Sequence, residues 1–228
     1  MQTIRQAIRW AIDQGVDIIS ISWTTKKENK ALEDAIMAAV KPTDEKQCPT
    51  LVFCSVADEG VYSGKVYPLQ IDPENTLSVA ATDQYGHLTP ASLRAGNKDV
   101  IQVPGEAVAT GGPSYTFRDF DADVDVDEGK KIGDETVSGS SVATALAAGI
   151  ASLALLMIKV YAKPTSRNWH AFHKRNGILN VFDKMNFRNG GIVLEKLFPD
   201  EITHKELTKL WNINPNSKRH EAGENGET

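Results

Sequence analysis

The 228-residue chain carries 25 Lys plus Arg against 30 Asp plus Glu, a formal net charge of −5 with neutral histidines. That balance argues against nucleic-acid binding as the main task, since phosphate contacts need clustered positive charge, and 41% apolar residues exclude a wholly disordered chain. Cys48 and Cys54 are the only cysteines, which excludes a disulfide scaffold and favours a cytoplasmic setting.

Ile4, Ala7, Ile8, Ala11 and Ile12 recur at helical spacing and predict a helix over 2–14, stopped by Gly15. No leader precedes it, and a domain opening in mid-pattern reads as a piece of something longer. Val16 to Ile21 is a continuous β-branched run, expected to be a strand buried on both faces. A second helix is predicted over Lys30 to Val40, closed by Pro42, followed by strands at Leu51–Val56, Leu77–Ala81 and Val100–Val103. This alternation predicts an α/β fold, a parallel sheet flanked by helices. Ligands of such sheets sit at the carboxyl ends of the strands, which directs attention to Ser22–Thr25 and Ala57–Gly60.

From Thr110 to Thr136 the pattern breaks, and Asp119, Asp121, Asp123, Asp125, Asp127 and Glu128 form an acidic ladder. Structural calcium is conceivable there, but an EF-hand loop starting at Asp123 needs glycine where Glu128 stands, so a solvated loop is the expectation. No metal or other cofactor is expected otherwise. An alanine-rich helix is predicted from Ser141 to Tyr161, interrupted by Thr144, Gly149 and Ser152, which suits a buried helix better than a membrane span. Residues 165–211 look irregular apart from an amphipathic helix over His204–Leu210. The domain is drawn as 1–211, and 212–228 is expected to be a disordered tail.

The sharpest chemical feature is Ser138-Gly139-Ser140-Ser141-Val142-Ala143-Thr144, at the entrance to the alanine-rich helix. A serine there sits beside unpaired N–H groups that favour developing negative charge, and the glycine lets a substrate backbone approach. A plain serine N-cap has the same appearance.

The order of blocks adds to this. Ala7-Ile8-Arg9-Trp10-Ala11-Ile12 with Gly15 to Ser22, then Val52 to Gly60, Tyr67-Pro68, Leu77 to Asp83, Val103-Pro104-Gly105 and Gly139 to Gly149 follow one another as the corresponding blocks do in subtilisin-like serine peptidases. The chain resembles that family over roughly residues 4–160. The resemblance implies a subtilisin-like three-layer architecture lacking its N-terminal strands, and a serine endopeptidase in which Ser141 is the nucleophile. It also implies a peptide or protein substrate bound by Ser22, Trp23 and Thr24, by Ser55, Val56 and Ala57, and by Gly139 and Ser140. Asp58 stands where the family keeps its oxyanion asparagine. As a carboxylate it accepts and does not donate, so it is either an impaired oxyanion residue or a plain turn residue. Ser22-Trp23-Thr24-Thr25 replaces Ser-Leu-Gly-Gly, which narrows the cleft, and Thr144, Ala145 and Leu146 replace Ser-Pro-His after the nucleophile.

The family's Asp and His blocks are not found in this sequence, and none of the five histidines has that context. A serine hydroxyl without a positioned base is a weak nucleophile. The expectation is therefore a peptidase domain weak or inactive alone, with the missing N-terminal half or a larger chain as its partner. The alternative is a pseudo-peptidase that binds peptides or proteins. An unrelated α/β ligand-binding module is a third reading. No nucleic acid and no membrane are expected as partners.

Overall fold

The computed structural model describes residues 2–44, 47–58, 65–90, 92, 100–109, 136–185 and 203–216. Helix α1 (Gln2–Asp13) ends where Gly15 takes φ +68, and leads into β1 (Ile18–Ile21). Helix α2 (Lys30–Val40) is capped by the Asn29 side chain, which accepts from the Leu32 N–H, and precedes β2 (Leu51–Ser55). Strands β3 (Leu77–Thr82) and β4 (Ile101–Pro104) complete a four-stranded sheet of order β1-β2-β3-β4, every pair parallel. A two-stranded antiparallel pair, β5 (Val108–Ala109) with β6 (Thr136–Val137), leads to α3 (Ser140–Met157), which passes into a π-helical turn over Ile158–Ala162.

Side chains alternate across the sheet and fill two layers. Val52 and Cys54 face α1 and α2, packing with Ile8, Ile21, Leu32 and Ile36. Leu51 and Phe53 face the other way, with Leu77, Val79, Ile101 and Val103, against α3. Ala143, Ala147, Ala151 and Ala154 are all fully buried on α3, so small side chains set that helix close on the strands. The result is the expected α/β layering of helices, parallel sheet and helices.

Three expectations change. Strand β1 is not buried on both faces: it is the outermost of the described strands on its side of the sheet, Ser20 is exposed, and Ile18 and Ile19 are half-buried. Residues 165–211 are more regular than composition suggests, with α4 (Ser166–Phe172) and α5 (Arg175–Lys184) ahead of α6 (His204–Trp211). In α5 the buried residues run consecutively from Gly177 to Phe182, so the helix is enclosed on most sides. Finally, Ile213 and Pro215 are buried, and the Asn180 amide donates to the Pro215 carbonyl at 3.1 Å. The chain thus packs past the boundary at 211. The acidic ladder at 119–128 and residues 217–228 lie outside the described residues.

Candidate active site

The site forms where the carboxyl ends of β1 and β2 meet the first turn of α3. Gly139, not a serine, is the N-cap, with φ +132, a conformation that side chains rarely adopt, and it makes no side-chain cap bond. The serine-cap reading is thereby corrected. The capping group comes from another segment. Asp58 Oδ2 accepts from the Ser140 N–H at 2.8 Å, and Asp58 Oδ1 lies 3.3 Å from the Ser92 hydroxyl that donates to it. The Ser140 hydroxyl has two acceptors in reach, the Val56 carbonyl at 2.8 Å and Asp58 Oδ2 at 2.9 Å, and one proton to share between them.

This arrangement decides what Asp58 does locally. Its carboxylate is a helix cap delivered across the sheet, an acceptor that complements the positive end of α3. It is neither a hydrogen-bond donor nor a simple turn residue. Ser140 is buried, so its side chain braces the helix start against β2. Ser55 and Val56 are buried as well, and Val56 commits its N–H to the Val79 carbonyl and its C=O to Ser140. These three residues hold the site together from beneath; they do not line an open cleft.

Ser141, in contrast, is exposed. Its hydroxyl donates to the Ser22 carbonyl at 2.7 Å, and the Ser22 hydroxyl donates to the Ser141 carbonyl at 3.0 Å. This reciprocal pair joins the end of β1 to the first turn of α3. The Ser141 N–H makes no hydrogen bond among the described residues, as expected of a donor in the first turn of a helix. Trp23 packs half-buried against the α1–α2 layer, and Thr24 is exposed. Thr25 is pinned to Tyr67 by two backbone bonds of 2.9 Å. Ala57 is half-buried beside Asp58.

None of the four described histidines reaches Ser141. His87 sits 3.3 Å from Asp83, and His204 stacks near Tyr161. His170 lies on α4, and His173 follows directly, buried, with Nε2 2.8 Å from Asp17 Oδ1 and Nδ1 2.9 Å from the Trp169 carbonyl. His170 is thus helical and His173 is the residue that ends α4. Among the described residues no group of three or more His, Cys, Asp or Glu is placed to hold a metal. Both cysteines are free, and burial pushes the Cys54 thiol up to about 12 and the Cys48 thiol up to about 11, far from a reactive thiolate.

Sequence reasoning missed three supporting groups. Ser92 accepts from the Ala81 N–H while donating to Asp58, and Ser138 accepts from the Ala107 N–H at 2.8 Å. Gly105 accepts from the Gly139 N–H at 2.7 Å, and a Cβ there would fall 2.7 Å from Ala81 Cβ. Ser138 and Gly105 stand inside blocks already legible in the sequence, though without these roles, and Ser92 left no trace.

The geometry thus sets an exposed serine in the first turn of a buried helix, beside the carboxyl ends of a parallel sheet. The subtilase family model matches residues 1–171, and the chain belongs to that family of serine peptidases. Among solved structures, the chain is similar to the prenylagaramide maturation protease PagA at 24% identity and TM-score 0.52, covering 77% of this chain and 55% of that one. It is similar to the patellamide maturation protease PatA at 21% identity and TM-score 0.51, covering 74% and 56% respectively. These likenesses establish the shared fold, and the chain spans little more than half the length of either protease. No curated protein matches.

Proposed function

We propose that this chain carries the nucleophile-bearing part of a serine endopeptidase, acting on peptide bonds through an acyl-enzyme on Ser141. The observation that carries the reading is the exposed Ser141 hydroxyl on the first turn of α3, beside its own unpaired N–H. In the reaction the hydroxyl oxygen attacks the scissile carbonyl carbon and gives its proton to a base, the amine leaves with a proton, and water then releases the acyl group. The Ser141 N–H is a donor for the developing oxyanion. Peptide substrate docks along Ser22, Trp23 and Thr24 and over Gly139.

The Ser141 hydroxyl donates to the Ser22 carbonyl, which is no base, and the Asp58 carboxylate is held as an acceptor by the Ser140 N–H. Both features support weak or absent turnover by these 228 residues alone. They also favour a second reading, a pseudo-peptidase that binds peptide without cleaving it. Peptide hydrolysis by the domain supplied with the family's Asp and His segments separates the two. The endopeptidase reading expects cleavage that Ser141→Ala abolishes. Peptide binding without cleavage, unchanged in affinity by Ser141→Ala, overturns it in favour of binding.

A further inference from the structure

From Thr136 to Phe182 the sequence holds no Asp or Glu, in a chain that has 30 of them among 228 residues. Lys159, Lys163, Arg167, Lys174 and Arg175 all fall in that stretch, so positive charge gathers there although the chain as a whole carries −5. A charge run is ordinarily a solvated face. Here part of it lines a cavity.

The π-helical turn after α3 and the first turns of α4 enclose a groove of about 350 Å³, lined by Lys159, Lys163, Pro164, Ser166, Trp169 and His170. That volume lies within the usual range of ligand sites, about 300–1,000 Å³. Lys159 and Lys163 are exposed, and Lys163 ends the turn with φ +44. Trp169 makes a half-buried wall: its ring packs edge-on against the buried His173 at 4.7 Å, and Lys159 Nζ lies 5.6 Å from its centroid.

The nearby carboxylates are engaged elsewhere. Asp17 Oδ1 holds His173 Nε2 at 2.8 Å, and Glu206, on the helix packed against the π-helical turn, closes its own capping box with Thr203. Among the described residues no carboxylate is within ion-pair distance of Lys159, Lys163, Arg167 or His170. Basic residues complement the carbonyl end of a helix, which accounts for Lys159 and Lys163. It does not account for the imidazole, the hydroxyl and the aromatic face that α4 brings to the same groove.

We infer that this groove is a docking site for an acidic polypeptide segment, whose carboxylates meet Lys159, Lys163 and His170 while an apolar side chain lies on Trp169. Lys159 is roughly 27 Å along the helix from Ser141, at about 1.5 Å per residue. The site is therefore separate from the serine, and the inference stands apart from the peptidase reading. Phosphate groups are best met by the bidentate fork of arginine, and neither lining cation is an arginine. Lipid binding needs an apolar face that enters the bilayer, whereas the groove offers only Pro164 and Trp169.

The test titrates the full 228-residue chain, as Ser141→Ala, into a fluorescein-labelled glutamate-rich peptide carrying one leucine, and reads anisotropy at low ionic strength. Saturable binding is expected, weaker by roughly tenfold once salt shortens the Debye length to about 8 Å. Lys159→Glu and Lys163→Glu, exposed changes that spare the core, should each weaken it by roughly tenfold. Lys27→Glu, beyond the carboxyl end of β1, should change it by less than about twofold. Absence of saturable binding overturns the inference, as does binding that survives both charge reversals or that Lys27→Glu weakens equally. Displacement of the peptide by inorganic phosphate or by phosphatidylserine vesicles, at matched anion concentration, overturns it too, since the groove would then recognise phosphate. None of these readouts needs turnover, so a failure here leaves the peptidase reading where it stands.

Discussion

Replacing Asp58 by alanine tests the cross-sheet cap quantitatively. The change removes the acceptor for the Ser140 N–H, 2.8 Å from Oδ2, and that donor sits in the first turn of α3. A hydrogen bond to a charged group contributes about 1.5–3 kcal/mol, and a carboxylate at a helix N-terminus adds about 0.3–1 kcal/mol. The Ser140 hydroxyl costs little to release, because the Val56 carbonyl remains 2.8 Å away. The Ser92 bond at 3.3 Å is long and weak. Asp58 is an exposed residue, so screening keeps the sum near its lower end, about 2–3 kcal/mol. For a chain of this size that lowers Tm by roughly 4–12 °C. Asp58→Asn keeps an acceptor in place and loses only the charge, for about 1 kcal/mol and roughly 2–4 °C. Thermal unfolding followed by circular dichroism should rank the three Asp above Asn above Ala. An alanine variant that melts within about 1 °C of the parent would refute the cap.

In a domain completed with Asp and His segments, Asp58→Asn should raise peptide hydrolysis, since an amide can donate where the carboxylate only accepts; an unchanged or lower rate would place residue 58 away from the oxyanion. Cys54 in the native chain should resist iodoacetamide at pH 8 and react only after unfolding, because burial holds its thiol near about 12; rapid native alkylation contradicts that. Burial pushes the Asp72 carboxyl up, but Lys41 at 2.8 Å and the Asn75 amide outweigh it and hold it below the ordinary range. Its contribution is therefore complete above the ordinary carboxylate pKa and lost as pH falls through the depressed value. Urea unfolding should show less acid-side loss in Lys41→Ala, and an identical pH slope would speak against the pair. Gly105→Ala should destabilise by about 2 kcal/mol or more, since its Cβ would meet Ala81 Cβ at 2.7 Å and the Gly139 carbonyl at 2.9 Å; a urea midpoint equal to the parent's would show that the loop yields.

The sheet was legible in the sequence because its strands are short apolar runs with glycine or proline near their ends, and α2 matched its predicted span from Lys30 to Val40. The serine motif was legible for the same local reason. Long-range relations were not. That β1 stands outermost among the described strands depends on sheet order, and nothing in Ile18–Ile21 encodes that order. Helix α5 escaped because Gly177 and Asn180, weak helix formers, stand inside it and no side chain caps its start. The part played by Asp58 was hidden for the same reason: residues 58, 92 and 140 meet only after the chain has folded, and an aspartate in a loop has many possible partners.

Labelling of the 228-residue chain with a fluorophosphonate, located by peptide mass spectrometry, tests the central claim most directly. The Ser141 hydroxyl donates to the Ser22 carbonyl and to no base among the described residues, so the reading predicts negligible adduct on Ser141 in this chain alone. Stoichiometric labelling of Ser141, abolished by Ser141→Ala, would show that these residues already activate the serine and would contradict it.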